Sequence, residues 1–184
     1  AAVAIATEIQ ENALWEEDGS VNWIGLTFQY QSKHFQFQPL GDSLYHGRCG
    51  IALFLAALDL VTETQQNRDL ILGCLKPGRS LLCHSPAALT CNYLDFIGLG
   101  GSTGLGSILY SWVRLGDFLQ QPDLIEDALR ASNLITPELI HADTSLDLIA
   151  GVAGTILGLL ALYHATDDPT VLARAIACAQ HLCQ

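Results

Sequence analysis

Hydrophobic residues are concentrated in three helix-length runs along this chain. The runs span 51–61, 105–115 and 155–163, and each is apolar on nearly every side. A helix that is apolar all round is typical of a buried position in a protein core. The pattern therefore predicts three inner helices covered by other parts of the chain.

Two further segments are amphipathic and follow prolines. Pro122 and Pro169 suit the first turn of a helix, where a missing N–H costs nothing. The predicted inward positions after Pro122 are Leu124, Ile125, Ala128, Leu129 and Ala131, opposite Asp123, Glu126, Asp127 and Arg130. Those after Pro169 are Val171, Leu172, Ala175, Ile176, Ala179 and Leu182. Both segments are predicted to be outer helices with one face in water.

The remaining segments complete an all-α prediction with one exception. Residues 1–17 are predicted to form a helix. Residues 21–38 are rich in aromatic and β-branched side chains with partial alternation, which predicts a small β-hairpin turning near 31–34. In the less regular stretch 67–96, Pro77 is predicted to stop or kink a helix and Pro86 to start a short one.

A Gly-x-x-Gly segment precedes each apolar run. The glycine pairs are Gly47 and Gly50, Gly101 and Gly104, and Gly151 and Gly154. A recurrence of about fifty residues is typical of a repeated supersecondary unit. Glycines let helices approach closely and let loop backbone adopt positive φ, so packing is their expected main role. A secondary hypothesis is that their N–H groups face a substrate.

Composition excludes several classes of partner. The chain is half hydrophobic, and 8 basic against 19 acidic residues give a net charge of −11. This balance argues against nucleic acid and anionic membrane partners. The most membrane-like run, 148–163, is shorter than the roughly 20 residues that a bilayer requires, so no transmembrane segment is predicted. Six cysteines without a C-x-x-C pair, and no visible signal peptide, indicate reduced thiols in the cytoplasm.

Several ordered motifs together resemble a known family. They are Trp23-Ile24-Gly25-Leu26, Leu44-Tyr45-x-Gly47-x-x-Gly50, Gly98-x-Gly100-Gly101-x-x-Gly104 and Asp147-x-x-x-Gly151-x-x-Gly154. In this order they resemble the LanC-like cyclase domain of LanM-type (class II) lanthipeptide synthetases. The resemblance implies that residues 1–184 form the N-terminal part of an α/α toroid, a double ring of helical hairpins around a cavity. About three inner helices would lie in this chain, with further repeats following residue 184.

The resemblance also implies an activity. Such domains are zinc-dependent and add cysteine thiols of a lanthipeptide precursor peptide to dehydroalanine or dehydrobutyrine, forming thioether rings. The implied zinc ligands, two Cys and one His, belong to later repeats, so no metal ligand is expected here. The Cys83-His84 pair imitates the family's Cys-His but is predicted to be a surface turn. Expected partners are the precursor peptide and the rest of the synthetase chain, and exposed inner-helix surface favours self-association.

Asp147 is the candidate catalytic residue. It matches an acidic position that the resemblance associates with acid/base chemistry near the metal. From the residues alone, the alternative is a helix cap, because a carboxylate is stabilised at a helix N-terminus. Tyr45 and Trp112 are expected to be core aromatics, and His46 to be structural.

Two other functions compete with the cyclase. One is a non-catalytic LanC-like helical-repeat module that binds peptide or acts as a scaffold. The other, an α/α-toroid glycosidase, would need paired acidic residues along a cavity rim. Asp95, Asp143 and Asp147 are too few and too scattered in the sequence to favour it.

Overall fold

The computed structural model describes residues 1–29 and 33–184, which are mostly helical. The elements in chain order are α1 (Ala2–Glu11), β1 (Leu14–Trp15), β2 (Val21–Asn22), β3 (Ile24–Gln29), β4 (His34–Pro39), α2 (Arg48–Thr62), α3 (Arg68–His84), α4 (Ala87–Ile97), α5 (Leu105–Leu119), α6 (Pro122–Ser132), α7 (Pro137–Ala142), α8 (Val152–Thr166) and α9 (Pro169–Leu182). The strands form two separate antiparallel pairs, β1 with β2 and β3 with β4.

The three predicted inner helices, α2, α5 and α8, share the same length and the same ends. Each has 15 residues and follows an extended N-cap glycine, namely Gly47, Gly104 or Gly151. Each ends at a residue in the left-handed conformation, namely Glu63, Gln120 or Asp167. This agreement of start, length and end confirms a threefold structural repeat.

Each inner helix pairs with an outer one. α2 packs against α3, α5 against α6 and α8 against α9, while the inner helices form the row α2–α5–α8. Pro122 and Pro169 occupy the first turns of α6 and α9, as predicted. The helical fold class and the hairpin organisation are confirmed. Closure of such hairpins into a toroid stays a prediction.

The core is centred on α5, which has an inner helix on both sides. Trp112 is 1% exposed there, so its predicted core position is confirmed. The prediction of burial on all sides is wrong for the two flanking helices. Leu60 and Val61 of α2 and Leu157 of α8 are more than half exposed. The reason is that α2 and α8 each have only α5 as an inner neighbour within the described part of the chain.

Two predictions for the outer helices are wrong because of how these helices contact their neighbours. Asp127, predicted on the wet face of α6, is buried, because Arg79 of the neighbouring α3 donates from Nε to its Oδ2 at 2.6 Å. Ile176 and Ala179, predicted to point inward, are exposed on α9. Helical periodicity assigns a face, but it does not show where the neighbouring helices lie.

Two local predictions are wrong, and one is confirmed. The first helix ends at Glu11, and Leu14 and Trp15 form β1, which pairs with β2. α3 continues through Pro77, so the prediction that this proline stops the helix is wrong, whereas a kink stays a prediction. Packing against α2, α6 and β2 offsets the lost hydrogen bond. The hairpin is present as β3 and β4, paired from Ile24↔Pro39 to Gln29↔His34. Its predicted turn falls partly on residues 30–32, outside the described residues.

No helix in the described ranges combines the length and the apolar character that a membrane crossing requires. The apolar run at 148–163 instead supplies a loop and most of α8.

Candidate active-site loops

The loops that precede the three inner helices lie side by side. They span 41–47, 98–104 and 145–151, and we call them loops 1, 2 and 3. The Tyr45 N–H of loop 1 donates to the Ser102 carbonyl of loop 2 at 3.0 Å. The Ser102 N–H donates in turn to the Ile149 carbonyl of loop 3 at 3.0 Å. All three residues stand two positions before their N-cap glycines, so one backbone bond links equivalent positions of successive repeats.

The glycine motif of the second repeat is displaced by one helical turn relative to the other two. Gly47 and Gly151 are the first glycines of their motifs and act as N-caps, whereas Gly104, the second of its motif, has that position in loop 2. The residue three places into each helix donates to the N-cap carbonyl in every repeat, and these donors are Gly50, Ser107 and Gly154. The glycine spacing made Gly101 equivalent to Gly47 and Gly151. In the structure Gly104, three residues later, is the equivalent residue.

Close backbone packing explains the motif glycines, in agreement with their expected main role. A Cβ on Gly101 would lie 2.7 Å from the Cα of Gly154, and one on Gly47 would lie 2.6 Å from the Gly41 carbonyl oxygen. The expectation of positive φ is wrong, because Gly19 and Gly98 are the glycines with positive φ in the described ranges.

The motif N–H groups are engaged within the protein. Gly101 donates to the Leu148 carbonyl at 3.1 Å, and Gly154 donates to Asp147 and Gly151 carbonyls at 3.2 and 3.1 Å. Gly50 and Gly104 likewise donate to backbone carbonyls. The hypothesis that these N–H groups face a substrate is therefore wrong for these four glycines.

Asp147 organises loop 3 through its side chain. Its Oδ1 accepts hydrogen bonds from the N–H groups of Ile149 and Ala150, both at 2.8 Å, and of Gly151 at 3.2 Å. These backbone donors, that of Ala150 foremost, lower the pKa of the Asp147 carboxyl below its ordinary value. The residue is exposed. It thus presents an ionised carboxylate to solvent beside the N-terminus of α8.

Asp143 performs the capping that the sequence suggested for Asp147. Its Oδ2 accepts from the N–H of Val152, the first residue of α8, at 2.9 Å, and from that of Leu146 at 3.1 Å. In loops 1 and 2 a backbone carbonyl accepts the equivalent bond, from Arg48 to Gly41 and from Leu105 to Gly98. Sequence reasoning missed this role, because Asp143 lies nine residues before the helix that it caps. The turn-forming Asp-x-x-Leu segment was its only local signal.

A histidine contact supports loop 3 from the outer layer. His181 of α9 lies with Nε2 at 2.9 Å from the Asp143 carbonyl oxygen. The rings of His181 and His141 meet edge to face, with centroids 5.7 Å apart. The acidic loop is therefore held from α7 and α9 as well as from α8.

Loop 1 rests on a buried ionic cluster. Asp42 accepts from Arg48 Nη2 at 2.6 Å and from the Tyr93 hydroxyl at 2.7 Å. Gly78 of α3 leaves room for this carboxylate, since a Cβ there would lie 2.8 Å from Asp42 Oδ1. Burial and the nearby carboxylate raise the pKa of Tyr93, which keeps the phenol protonated as a donor. The cluster ties loop 1 to α2, α3 and α4.

Tyr45 of loop 1 lies at the surface, so its predicted core position is wrong. Its side chain is 80% exposed beside His46, with ring centroids 6.0 Å apart. Tyr45 precedes the start of α2, and no helix of the described part of the chain buries its ring. The exposed side of the loops therefore carries Tyr45, His46 and Asp147.

The described residues offer no site for a zinc ion. No cluster of three or more His, Cys, Asp or Glu side chains occurs among them. The Cys83-His84 pair lies in the last turn of α3, so its predicted surface turn is wrong. The Cys83 Sγ approaches the Asp127 carbonyl at 3.6 Å, and burial raises the Cys83 pKa to about 11.

Comparison with known proteins gives one family. No curated protein sequence matches the chain. Residues 38–184 match the sequence model of the family described as lanthionine synthetase C-like protein. The matched range includes all three loops and their helical hairpins, so the chain belongs to the lanthionine synthetase C-like protein family.

Proposed function

We propose that this chain is the N-terminal part of the cyclase domain of a LanM-type (class II) lanthipeptide synthetase. In that role it helps to add cysteine thiols of a precursor peptide to dehydroalanine or dehydrobutyrine. The observation that carries the proposal is the family match over 38–184, which covers three linked loops at one end of the inner helices. The free state of all six cysteines supports a cytoplasmic location.

The loops contribute shape and one carboxylate to this proposed site. The N–H groups of Gly50, Gly101, Gly104 and Gly154 are bonded within the protein, so they are not free to bind substrate. Asp147 is exposed, and its lowered pKa keeps it ionised near neutral pH but makes it a weak base. The thiol proton becomes strongly acidic as the carbon–sulfur bond forms, so the proposed role of Asp147 is to take that proton while sulfur attacks the dehydroalanine β-carbon. The α-carbon takes a proton from water.

Zinc, when bound in the full-length domain, lowers the pKa of a thiol and so favours the thiolate. The described residues do not fit such a metal. The proposed ligands lie in repeats beyond these three. This chain alone is expected neither to bind zinc tightly nor to close rings.

The testing experiment uses the proposed full-length cyclase domain, which contains this chain, and supplies a peptide with one dehydroalanine and one cysteine. Ring closure leaves the mass unchanged and removes the free thiol, so N-ethylmaleimide addition and mass spectrometry follow it. We expect Asp147→Asn to lower kcat by about a hundredfold or more. Asp143→Asn is the matched control, because Asp143 also accepts two backbone hydrogen bonds and lies two residues before loop 3. It should retain most of the activity.

A metal-loaded polypeptide that leaves the thiol free would overturn the proposed reaction. Full activity of Asp147→Asn would remove Asp147 from the chemistry and leave it as a loop residue. Stoichiometric zinc in the chelator-washed 184-residue chain would contradict the assignment of the ligands to later repeats.

The second candidate function is a non-catalytic LanC-like module that binds peptide. The exposed Tyr45 beside His46 favours it, because an exposed aromatic side chain offers apolar contact area to a peptide. It predicts that the longer polypeptide binds the precursor peptide by calorimetry and yet leaves its thiol free.

A further inference from the structure

The β3–β4 hairpin turns its apolar face towards solvent. Leu26 and Phe37 are direct cross-strand partners, and Ile24, two residues from Leu26, lies on the same face. Their exposed fractions are 54% for Ile24, 56% for Leu26 and 72% for Phe37. We call these three residues the hairpin face. The opposite face is partly covered, since a Cβ on its Gly25 would collide with Leu40.

This arrangement reverses the usual orientation of a two-stranded sheet on a core. A sheet of two strands is marginally stable in water unless a third strand or a packed helix covers its apolar face. Within the described residues, β3 and β4 pair only with each other. Residues 24–37 of the hairpin precede the family-matched range, which begins at residue 38. The hairpin is separate in sequence from loops 1, 2 and 3.

The segment that precedes the hairpin is acidic. Residues 1–32 contain no Lys or Arg and carry five exposed carboxylates, namely Glu8, Glu11, Glu16, Glu17 and Asp18. Lys33, next to β4, is the one Lys or Arg of the hairpin. Trp23 holds α1 next to the hairpin base, because its Nε1 donates to the Ile9 carbonyl at 2.8 Å. Lys76 of α3 reaches this segment, where Nζ donates to the Asp18 carbonyl at 2.7 Å, and leaves it acidic overall.

We propose that the hairpin binds an extended peptide segment in which apolar residues alternate with Lys or Arg. Such a segment adds as a third strand, a known mode of peptide recognition at open sheet edges. Its apolar side chains extend the hairpin face, and its cations approach the carboxylates of α1 and the β1–β2 turn. β3 contains no proline, whereas β4 ends at Pro39, which cannot donate a backbone hydrogen bond. The added strand therefore pairs along β3. This proposal is independent of ring closure.

A second copy of this chain is a less suitable occupant. Each copy carries a net charge of −11, and the acidic segment beside the hairpin face would meet its own equivalent across a twofold interface. Like charges placed together oppose association. A cationic strand meets no such repulsion.

The test uses the 184-residue chain and a fluorescent nine-residue peptide of alternating valine and lysine, with anisotropy as the readout. We expect saturable binding that weakens as salt is raised. The double variant Leu26→Thr with Phe37→Thr should weaken binding about tenfold or more, since it removes exposed apolar area and keeps strand propensity. Val61→Thr, at a side chain 81% exposed on α2, is the matched control and should bind normally.

Amide hydrogen exchange locates the peptide. Protection is expected at residues 24–27 and not at the start of α2. Equal affinity for a peptide with glutamate in place of lysine would overturn the cationic specificity, and unchanged binding by the double variant would overturn the site. Sedimentation tests whether a second copy occupies the hairpin face instead. If the wild-type chain self-associates, the double variant does not, and neither binds the peptide, the face belongs to a second copy and the proposal is wrong.

Discussion

Gly101 and Gly154 face each other with no space for a side chain on either. A Cβ on Gly101 would lie 2.7 Å from the Gly154 Cα, and the Gly101 N–H itself bonds to the Leu148 carbonyl at 3.1 Å. Together with Gly106 and Gly158, which are in similar contact, they allow α5 and α8 to approach at backbone distance. The junction of loops 2 and 3 depends on this approach.

Gly154→Ala is therefore expected to destabilise the protein by about 1–3 kcal/mol, because the added methyl group must displace rigid backbone. The Leu148 carbonyl and the Gly101 amide are both in its way. Urea unfolding gives the measurement. Gly41→Ala is the control, since a Cβ there meets nothing within 4 Å. Equal stability of the two variants would show that loop 3 adjusts freely.

The ion pair beneath loop 1 gives a second prediction. Asp42→Ala leaves the Arg48 guanidinium buried without its counter-ion, which is expected to cost about 3–5 kcal/mol. Arg114→Ala breaks the exposed pair with Asp117 and is expected to cost under about 1 kcal/mol. Unfolding free energies of the two variants test the difference. Similar small losses would mean that water reaches Arg48.

The pH dependence of loop 3 follows from the lowered pKa of Asp147. A carboxyl with a depressed folded-state pKa stabilises the fold above its ordinary value of 3.8 and loses this contribution as the pH falls through the folded-state pKa. The stability difference between wild type and Asp147→Asn should be constant above about pH 5 and shrink below it. Urea midpoints between pH 3 and pH 7 measure it. If the stability difference between wild type and Asp147→Asn is the same from pH 3 to pH 7, the backbone hydrogen bonds do not lower the pKa of Asp147.

Cysteine reactivity gives a fourth prediction. Cys91 and Cys183 are exposed, whereas Cys49, Cys74 and Cys178 are buried. Burial raises the pKa of Cys74 to about 12 and that of Cys178 to about 11. Since the thiolate is the reactive form, the two exposed thiols should react with N-ethylmaleimide at least about a hundredfold faster than the buried three.

Peptide mapping after timed labelling separates these positions, and labelling in urea should remove the differences. Rapid native labelling of Cys74 would indicate that α3 opens around Pro77.

Local patterns predicted the elements that local forces control. The three apolar runs, the prolines at 122 and 169 and the alternation in the hairpin were sufficient to place α2, α5, α6, α8, α9 and the β3–β4 pair. Each signal acts within one or two turns, through burial, a missing N–H or strand geometry. Pro77 is the exception, because distant packing outweighs the local cost of a proline within α3.

The loops of the candidate site could be located from the sequence, whereas the hydrogen bonds within them could not. The catalytic role of Asp147 stays a prediction, and its alternative role, the cap of α8, belongs to Asp143. The glycine spacing also equated Gly101 with Gly47 and Gly151, whereas Gly104 has the N-cap position in the second repeat. Residue spacing along the sequence could not correct either error. A helix cap is defined by which backbone N–H donates to which oxygen, and that depends on the folded loop.

The sequence by itself determined that the chain is a repeat of helical hairpins with glycines at the starts of its inner helices. Period, apolar content and small residues are properties of the chain alone. Only the tertiary structure decided which face of each helix is covered, that Asp127 is buried, and that Tyr45 and the hairpin face meet solvent. Those outcomes depend on which elements become neighbours, and burial is a property of the neighbours as much as of the residue.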